Sequence, residues 1–212
     1  MSQIKLKHSG GNSVIIAAPS SNPASDRTLT LPGDADGTIL TSNSSVGKIL
    51  QVVTNEITSV VSITGQSHGN WLDVTGINVT ITPTVASSKV IVQINLGKVA
   101  HNSNSTAVKF TRSVAGGSAS VIKTGTADGN RIAAMTNIIG TGQINNNHSE
   151  SFNFQFTDTP SYSVGQAIVY QMQVMPEGTG LFVVNRSYDD SNETYNFRAR
   201  CFSNLTAMEV AA

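Results

Sequence analysis

Charged residues and cysteine are both scarce in this sequence, and their scarcity narrows its function. Only 12% of the 212 residues are charged, 13 acidic and 13 basic, against roughly a quarter in ordinary soluble domains. A chain without a basic excess does not fit a nucleic-acid binder, and it has no basic amphipathic stretch suited to a membrane surface. Cys201 is the single cysteine, which excludes an internal disulfide framework and a cysteine-based zinc site. We expect it to be a small buried residue.

Long apolar runs are missing as well. No stretch approaches the ~18 consecutive apolar residues of a membrane-spanning helix, so the sequence predicts no membrane insertion. The opening residues, MSQIKLKHSGG, lack the apolar segment of a secretory signal. We therefore expect a protein that is made without an export signal.

What the sequence does contain is apolar residues at every second position, the pattern of a strand with one buried face. The pattern is strongest in residues 70–96, which predict a β-hairpin that turns at residues 83–88. Trp71, the only tryptophan, precedes this hairpin, and we expect its ring to cover one end of the core. The buried faces of the two strands are predicted to be Ile77, Val79 and Ile81 and then Val90, Val92, Ile94 and Leu96.

Further strands follow the same rule. Phe152, Phe154 and Phe156 share one face, and residues 196–202 alternate apolar and arginine side chains in the same way. Residues 131–139 fit either a short helix or a buried strand. With nine or ten strands and no helix longer than two turns, the chain is predicted to be an all-β sandwich or barrel.

Residues 1–46 differ from the domain predicted at residues 47–212. Their strand-like pieces are four or five residues long and contain no aromatic ring, so they cannot pack a core of their own. We expect them to be an arm that attaches to other chains by strand pairing and exchange. The apolar residues predicted to make this attachment are Ile4, Leu6, Val14, Ile15, Ile16, Leu29 and Leu31.

Several stretches of the chain resemble virion structural and tail-fibre-like proteins of marine tailed phages, including cyanophages. The stretches are IKLKHSGGNSVIIAAPSSNPASDRTLTLP, DADGTILTS, GKILQVV, WLDVTGINVTITPTVASSKVIV and SNLTAMEV. They cover residues 4–53, 71–96 and the last ten residues. Residues 97–202 show only a general similarity to those proteins, without specific matching stretches. The resemblance implies a homotrimeric virion component, in which an extended β arm precedes a jelly-roll-like β-sandwich.

Candidate metal sites are few. The four histidines, His8, His68, His101 and His148, are far apart, and we interpret them as solvated loop residues. In a trimer a single histidine near the axis would become three, and His148 is the one candidate for such a metal site. Asp34 and Asp36 resemble the start of a calcium loop, but the distal glutamate of that motif is absent. We therefore expect no cofactor.

The densest polar and aromatic cluster lies at residues 188–195. Aromatic rings stack on sugar faces, and carboxylates and amides accept hydrogen bonds from hydroxyls, so this loop is a candidate glycan-binding site; an ordinary polar turn is the alternative. Adjacent Asp189 and Asp190 do not make the separated acid pair of a glycosidase. The candidate ligand-binding residues are Tyr188, Asp189, Asp190, Asn192 and Tyr195.

These observations predict a non-enzymatic, tail-fibre-like virion protein that is located in the virion. Its arm would join other virion proteins, and its domain would contact a host-surface glycan. Two alternatives stay open. The first is a capsid cement or head-fibre protein that stabilises the shell, and the second is a free-standing carbohydrate-binding module.

Overall fold

The structure is a computed structural model that describes residues 3–17, 20–21, 23–25, 48–65, 69–102, 105–139 and 149–212. The chain divides into two compact units, Met1–Thr41 and Ser42–Ala212. The first contains an antiparallel hairpin of β1 (Gln3–Lys7) and β2 (Ser13–Ala17). The hairpin is closed by His8 and Asn12, whose backbone N and O lie 2.8 Å apart.

The second unit is a β-sandwich, so the all-β prediction is confirmed. Its strands alternate between buried and exposed side chains, as the period-two pattern requires. In chain order they are β3 (Ile49–Ile57), β4 (Val61–Thr64), β5 (Leu72–Ile81), β6 (Lys89–His101), β7 (Ser105–Val114), β8 (Ser120–Ile122), β9 (Thr136–Ile139), β10 (Glu150–Asp158), β11 (Ile168–Pro176), β12 (Leu181–Val184) and β13 (Ser203–Val210).

One sheet, the β6 sheet, has the order β3-β13-β6-β12-β4, and β10 also pairs with β6. Leu96 pairs with both β13 and β10, and Val99 pairs with both β12 and β10. Because a strand has only two edges, β12 and β13 lie end to end along one edge of β6, and β10 lies along the other. Among the described residues β10 pairs with no other strand, so it is an outermost strand of this sheet in that part of the chain.

The second sheet, the β11 sheet, has the order β5-β11-β7-β8, with β9 also paired to β7. The two sheets bury a single core between them. Both central strands contribute runs of alternate side chains with no solvent exposure, among them Val90, Val92, Ile94 and Leu96 from β6, and Ile168, Tyr170, Met172 and Val174 from β11.

The predicted hairpin at residues 70–96 is wrong in its pairing, although both strands and their buried faces are confirmed. Strands β5 and β6 belong to different sheets, so the connection between them arches across the sandwich. Glu209 holds this connection: its carboxylate accepts hydrogen bonds from the backbone N of Thr84 (3.0 and 3.1 Å) and Val85 (3.0 Å). Ser88 Oγ and Gln51 Nε2 also donate to it, at 2.9 and 2.7 Å.

Three smaller expectations need correction or resolution. Residues 196–202 are not a strand: Asn196–Arg198 is a short 3₁₀ helix, and β13 begins only at Ser203. The ambiguous residues 131–139 contain strand β9 and no helix. Cys201 is partly exposed, because it lies in this irregular segment and not on the inner face of a strand.

Candidate functional site

The predicted ligand-binding residues lie on the connection from β12 to β13, residues 185–202, which we call the β12–β13 loop. Buried Asn185 fixes its start, with a positive φ of 67°. The Asn185 amide donates to the carbonyls of Ile57 (2.7 Å) and Ser59 (2.9 Å), and its oxygen accepts a 2.6 Å hydrogen bond from Ser203 Oγ. Asn185 therefore ties the start of the loop both to the end of strand β3 and to the first residue of β13.

A bulge in β6 brings the backbone of this strand close to the β12–β13 loop. Phe152 pairs with Leu96 but Glu150 pairs with Val99, so Gly97 and Lys98 together lie opposite one residue of β10. A Cβ on Gly97 would lie 2.3 Å from the carbonyl oxygen of Phe202. Only glycine therefore permits this close approach of the loop.

Lys98, the second residue of the bulge, reaches into the loop. It is 8% exposed, and its ammonium donates to the carbonyl of Phe197 (2.7 Å), to Ser187 Oγ (3.2 Å) and to the carbonyl of Ala199 (3.3 Å). Oxygen ligands from three points of the loop thus converge on one buried cation. This satisfies a charge that would be costly to bury alone.

The acidic residues of the loop are engaged by arginines of the same loop. Arg198 contacts Asp189 at 2.7 Å and Glu193 at 3.3 Å. Arg200 and Arg186 lie 2.7 and 3.7 Å from Asp190. Hydrogen bonds from Ser191 and from the Arg198 guanidinium lower the pKa of the Asp189 carboxyl. Asp189 and Asp190 therefore already have partners for the oxygens that we expected to accept sugar hydroxyls.

The aromatic residues of the loop fall into two groups. The Tyr188 hydroxyl accepts a 2.8 Å hydrogen bond from Asn102 Nδ2 and is part of the framework. Tyr195 is 59% exposed and stacks on Phe197, with ring centres 5.3 Å apart and planes 9° apart. The Arg198 guanidinium lies 5.0 Å from the Phe197 ring. We call Tyr195 and Phe197 the aromatic pair, an exposed stacked surface that could bind a ligand; Phe202, at the end of the loop, is also exposed but is not part of this pair.

Sequence reasoning missed Phe197 and Lys98. The sequence pattern places Phe197 in the strand predicted over residues 196–202, and it does not single out Lys98. The signal for Phe197 was its position two residues after Tyr195 within a polar loop. The structure places Asn192 on the exposed surface of the same loop, so all five predicted ligand-binding residues share one loop but only some are available to a ligand.

The histidine interpretation is wrong for His101, because this residue ends the long strand β6 and is buried. Burial lowers the pKa of its imidazole. His8 is exposed in the turn of the β1–β2 hairpin, where its Nδ1 accepts a 3.0 Å hydrogen bond from the N of Gly10. The other candidates, His68, His148, Asp34, Asp36, Leu29 and Leu31, lie outside the described residues. Within the described ranges no three metal-ligating side chains form a cluster.

A second buried polar cluster joins the two sheets. Arg112 of β7 contacts both carboxylate oxygens of Asp158 in β10, at 3.0 and 2.9 Å. The Tyr170 hydroxyl donates to the same carboxylate at 2.9 Å, and burial, followed by the charge of Asp158, raises the pKa of this tyrosine. This cluster ties β10 across the sandwich to the β11 sheet, and its groups satisfy one another.

Ile4, Leu6, Ile15 and Ile16 are exposed on the β1–β2 hairpin. Ile4 pairs with Ile16, and Leu6 follows Ile4 by two residues, which places these three positions on one face. Ile4, Leu6 and Ile16 are 63%, 58% and 50% exposed. Ile15 is opposite Lys5 on the other face. We call the first set the apolar face of the hairpin.

Comparison with known proteins gives limited results. No protein-family model matches the chain, and no curated protein matches it. A structure of the infectious bursal disease virus Gx strain matches with 15% identity and a TM-score of 0.35, over 95% of this chain and 48% of the other. The VP2 subviral particle of that virus matches with 13% identity and a TM-score of 0.36, over 94% of this chain and 46% of the other.

This chain thus spans about half the length of the solved chains that it matches. A likeness with these TM-scores supports no conclusion about function. Among the described residues, no helix is both long enough and apolar enough to cross a membrane.

Proposed function

We propose that this chain is a non-enzymatic structural protein of a virus particle, of the tail-fibre-like type, and that residues 1–46 attach it to other virion proteins. The observation that carries the proposal is the apolar face of the β1–β2 hairpin. Ile4, Leu6 and Ile16 are at least half exposed, and a two-stranded hairpin without a covering layer is at best marginally stable in water. A partner surface that covers this face would supply the missing layer.

The two faces of the hairpin indicate how it would dock. Lys5 and Lys7 share the face opposite to Ile4 and Leu6, so stacking that face on its own copy would oppose like charges. The apolar face carries no such penalty. Self-association through this face, in the homotrimer that the sequence resemblance implies, or docking on a capsid or tail protein would bury the same three side chains.

The test compares particles that are produced with the full chain and with a chain that lacks residues 1–46. The proposal predicts that the truncated domain stays soluble and folded but is lost from purified particles, as measured by quantitative mass spectrometry. Incorporation at the normal copy number would contradict the attachment role. The copy number per capsid would also separate a tail fibre, present in a few copies, from a cement protein, present in hundreds.

A double substitution sharpens this test. Leu6→Ser with Ile16→Ser removes two side chains of the apolar face, and we expect incorporation to fall as it does on truncation. Lys5→Ser with Ile15→Ser changes the opposite face by the same number of side chains and is the matched control. Equal losses from both pairs would show that the hairpin matters only as a folded element and would reject docking through the apolar face.

We propose host-surface glycan binding as a second role, and the aromatic pair favours it. Exposed rings stack on sugar faces, and Tyr195 and Phe197 present such a surface at the edge of an ion-paired loop. A glycan array with the full chain and Tyr195→Ala tests the role: binding should be lost in the variant. Phe202→Ala is the control, because Phe202 is equally exposed, at 58%, but stands outside the pair. No binding by the full chain, or equal loss in both variants, would reject the role.

A further inference from the structure

Strand β10 presents an unusually open edge. It spans nine residues, Glu150–Asp158, and among the described residues it pairs only with β6. From Ser151 to Thr157 it carries no charge and no proline, and its register with β6 is unbroken from Phe152 onward. Long, flat, uncharged edges pair readily with another strand, and proteins normally protect them.

The other outer strands of the sandwich have features that hinder pairing with a strand of another chain. Strands β4, β8 and β9 are only three or four residues long. Strand β5 is interrupted by a register shift near Gly76. Strand β3 carries the charged Glu56 and has a register shift near its start, where Glu209 pairs with Gln51 but Val210 pairs with Ile49. The β10 edge is thus the exception within the described part of the domain.

The sequence of β10 is chemically symmetric about its centre. Reading outward from Phe154 in ESFNFQFTD, each residue on one side has a counterpart of the same chemistry on the other. Asn153 matches Gln155, Phe152 matches Phe156, and Ser151 matches Thr157. An antiparallel pair of identical strands related by a twofold axis brings each residue opposite its mirror position. In such a pair every residue of this strand would meet its own chemical type.

We propose that two copies of this chain associate edge to edge through β10, antiparallel, with the twofold axis at Phe154. Phe154 is 36% exposed, whereas Phe152 and Phe156 are 8% exposed. Phe154 is therefore the phenylalanine of this strand with the most surface left to bury, and it is the one that would contact its own copy. Pairing would satisfy the open backbone edge and join two β6 sheets into one continuous sheet.

The outer face of the β6 sheet agrees with this geometry. Asn153, Asn95 and Asn204 lie side by side on neighbouring strands, as do Gln155 and Gln93. Asn95 Nδ2 donates to Asn204 Oδ1 at 2.9 Å. Opposing Asn153 with Gln155 of a second copy would continue these amide rows across the axis, and such rows stabilise stacked strands.

The charged ends of the strand do not prevent the pairing. Glu150 of one copy would be opposite Asp158 of the other. The Asp158 side chain is 7% exposed and is paired with Arg112 of its own copy, so its charge is already balanced. The inference goes beyond the proposed virion role and stands or falls separately, because it concerns the sandwich alone and makes no use of the hairpin.

Cysteine cross-linking of the full chain tests the axis. In a Cys201→Ser background, Phe154→Cys would place two thiols on directly opposite residues, whose Cα atoms are about 4.5–5.5 Å apart in an antiparallel pair, within disulfide range. Ser151→Cys is the matched control, because its two copies would be roughly 20 Å apart. We expect a disulfide-linked dimer with the first variant and none with the second. No dimer at position 154, or equal yields at both positions, would overturn the proposal.

Introducing a charge at position 154 gives a second readout that does not depend on oxidation. Phe154→Lys and Phe154→Glu should each weaken association roughly tenfold in sedimentation experiments, because like charges would face each other at the axis. Mixing the two variants should restore association. Val121→Lys, on the exposed face of the short strand β8, should have no effect. Failure of the mixture to associate better than either variant alone would reject the twofold register.

Discussion

Two groups of carboxylates hold connections of the sandwich in place, and they do so in different ways. Glu209 is fully buried and is bonded by neutral donors from the β5–β6 connection. Asp189 and Asp190 are partly exposed and are paired with arginines of their own loop. The first arrangement makes a connection part of the core. The second organises a surface loop through its own charged side chains, and binding residues are often carried by loops that a rigid scaffold positions.

The largest effect is expected at the buried carboxylate. Glu209→Ala removes the shared acceptor of the part-buried backbone N–H groups of Thr84 and Val85 and of the buried Ser88 hydroxyl. An unsatisfied buried donor costs about 1–3 kcal/mol and the two part-buried donors add to that loss, so we expect the free energy of unfolding to fall by about 3 kcal/mol. Chemical denaturation measures it. A loss below about 1 kcal/mol would show that the connection between β5 and β6 is not held as described.

Lys98 combines features of both groups: it is buried, as Glu209 is, but it holds the surface loop that contains Asp189 and Asp190. Lys98→Met keeps the length of the side chain but removes the donor to the carbonyls of Phe197 and Ala199. We expect a loss of about 1–2 kcal/mol together with faster hydrogen exchange confined to residues 186–202. Lys109→Met, which changes a lysine whose ammonium is 4.1 Å from the Trp71 ring centre, is the control. Uniform exchange across the domain would contradict a local anchoring role.

The pH dependence of stability distinguishes a bonded carboxylate from a merely buried one. Burial alone would raise the pKa of Glu209, but hydrogen bonds from Gln51, Thr84, Val85 and Ser88 outweigh it, and the pKa is lowered. A pKa that is lower in the folded state means that the unfolded chain binds the proton first. This contribution to stability is present above the unfolded pKa and is lost as the pH falls through the folded pKa.

The measurement is the denaturation midpoint of the natural chain and of Glu209→Gln as the pH is lowered from about 6 to about 3, a range that includes ordinary glutamate pKa values. The natural chain should lose stability more steeply, because the variant has no proton to bind at this position. Parallel curves would mean that the hydrogen bonds do not lower the pKa of this carboxyl.

Much of the fold followed from the sequence, because a buried strand face requires apolar residues at every second position. Strands β6, β10 and β11 show that pattern clearly. Which strands pair did not follow. The same alternation in β5 and β6 suits a hairpin or an arch between sheets, and the deciding contact, Glu209 with Thr84, joins residues 125 positions apart.

The loop was misread for a related reason. Phe197, Ala199 and Cys201 alternate with arginines, as in a strand with one apolar face, but those arginines bind Asp189 and Asp190, nine and ten positions earlier. The ion pairs fold the segment back on itself and prevent it from extending. His101 was misread because the sequence does not show that β6 continues beyond its last regularly alternating residue, Leu96, to residue 101. The five predicted ligand-binding residues share one loop, but which of their side chains a ligand could reach depends on contacts that no local pattern encodes.

The smallest effect is expected for the exposed ion pair of the loop. The side chains of Arg200 and Asp190 are 55% and 37% exposed, with the charged atoms 2.7 Å apart. Solvent-exposed pairs contribute about 0–1 kcal/mol, so Arg200→Ala should change the unfolding free energy by less than about 1 kcal/mol, and added salt should remove the difference. Denaturation at low and high salt measures both. A loss as large as that of Glu209→Ala would mean that the loop is as much a part of the core as the β5–β6 connection, and the contrast between the two carboxylate groups would disappear.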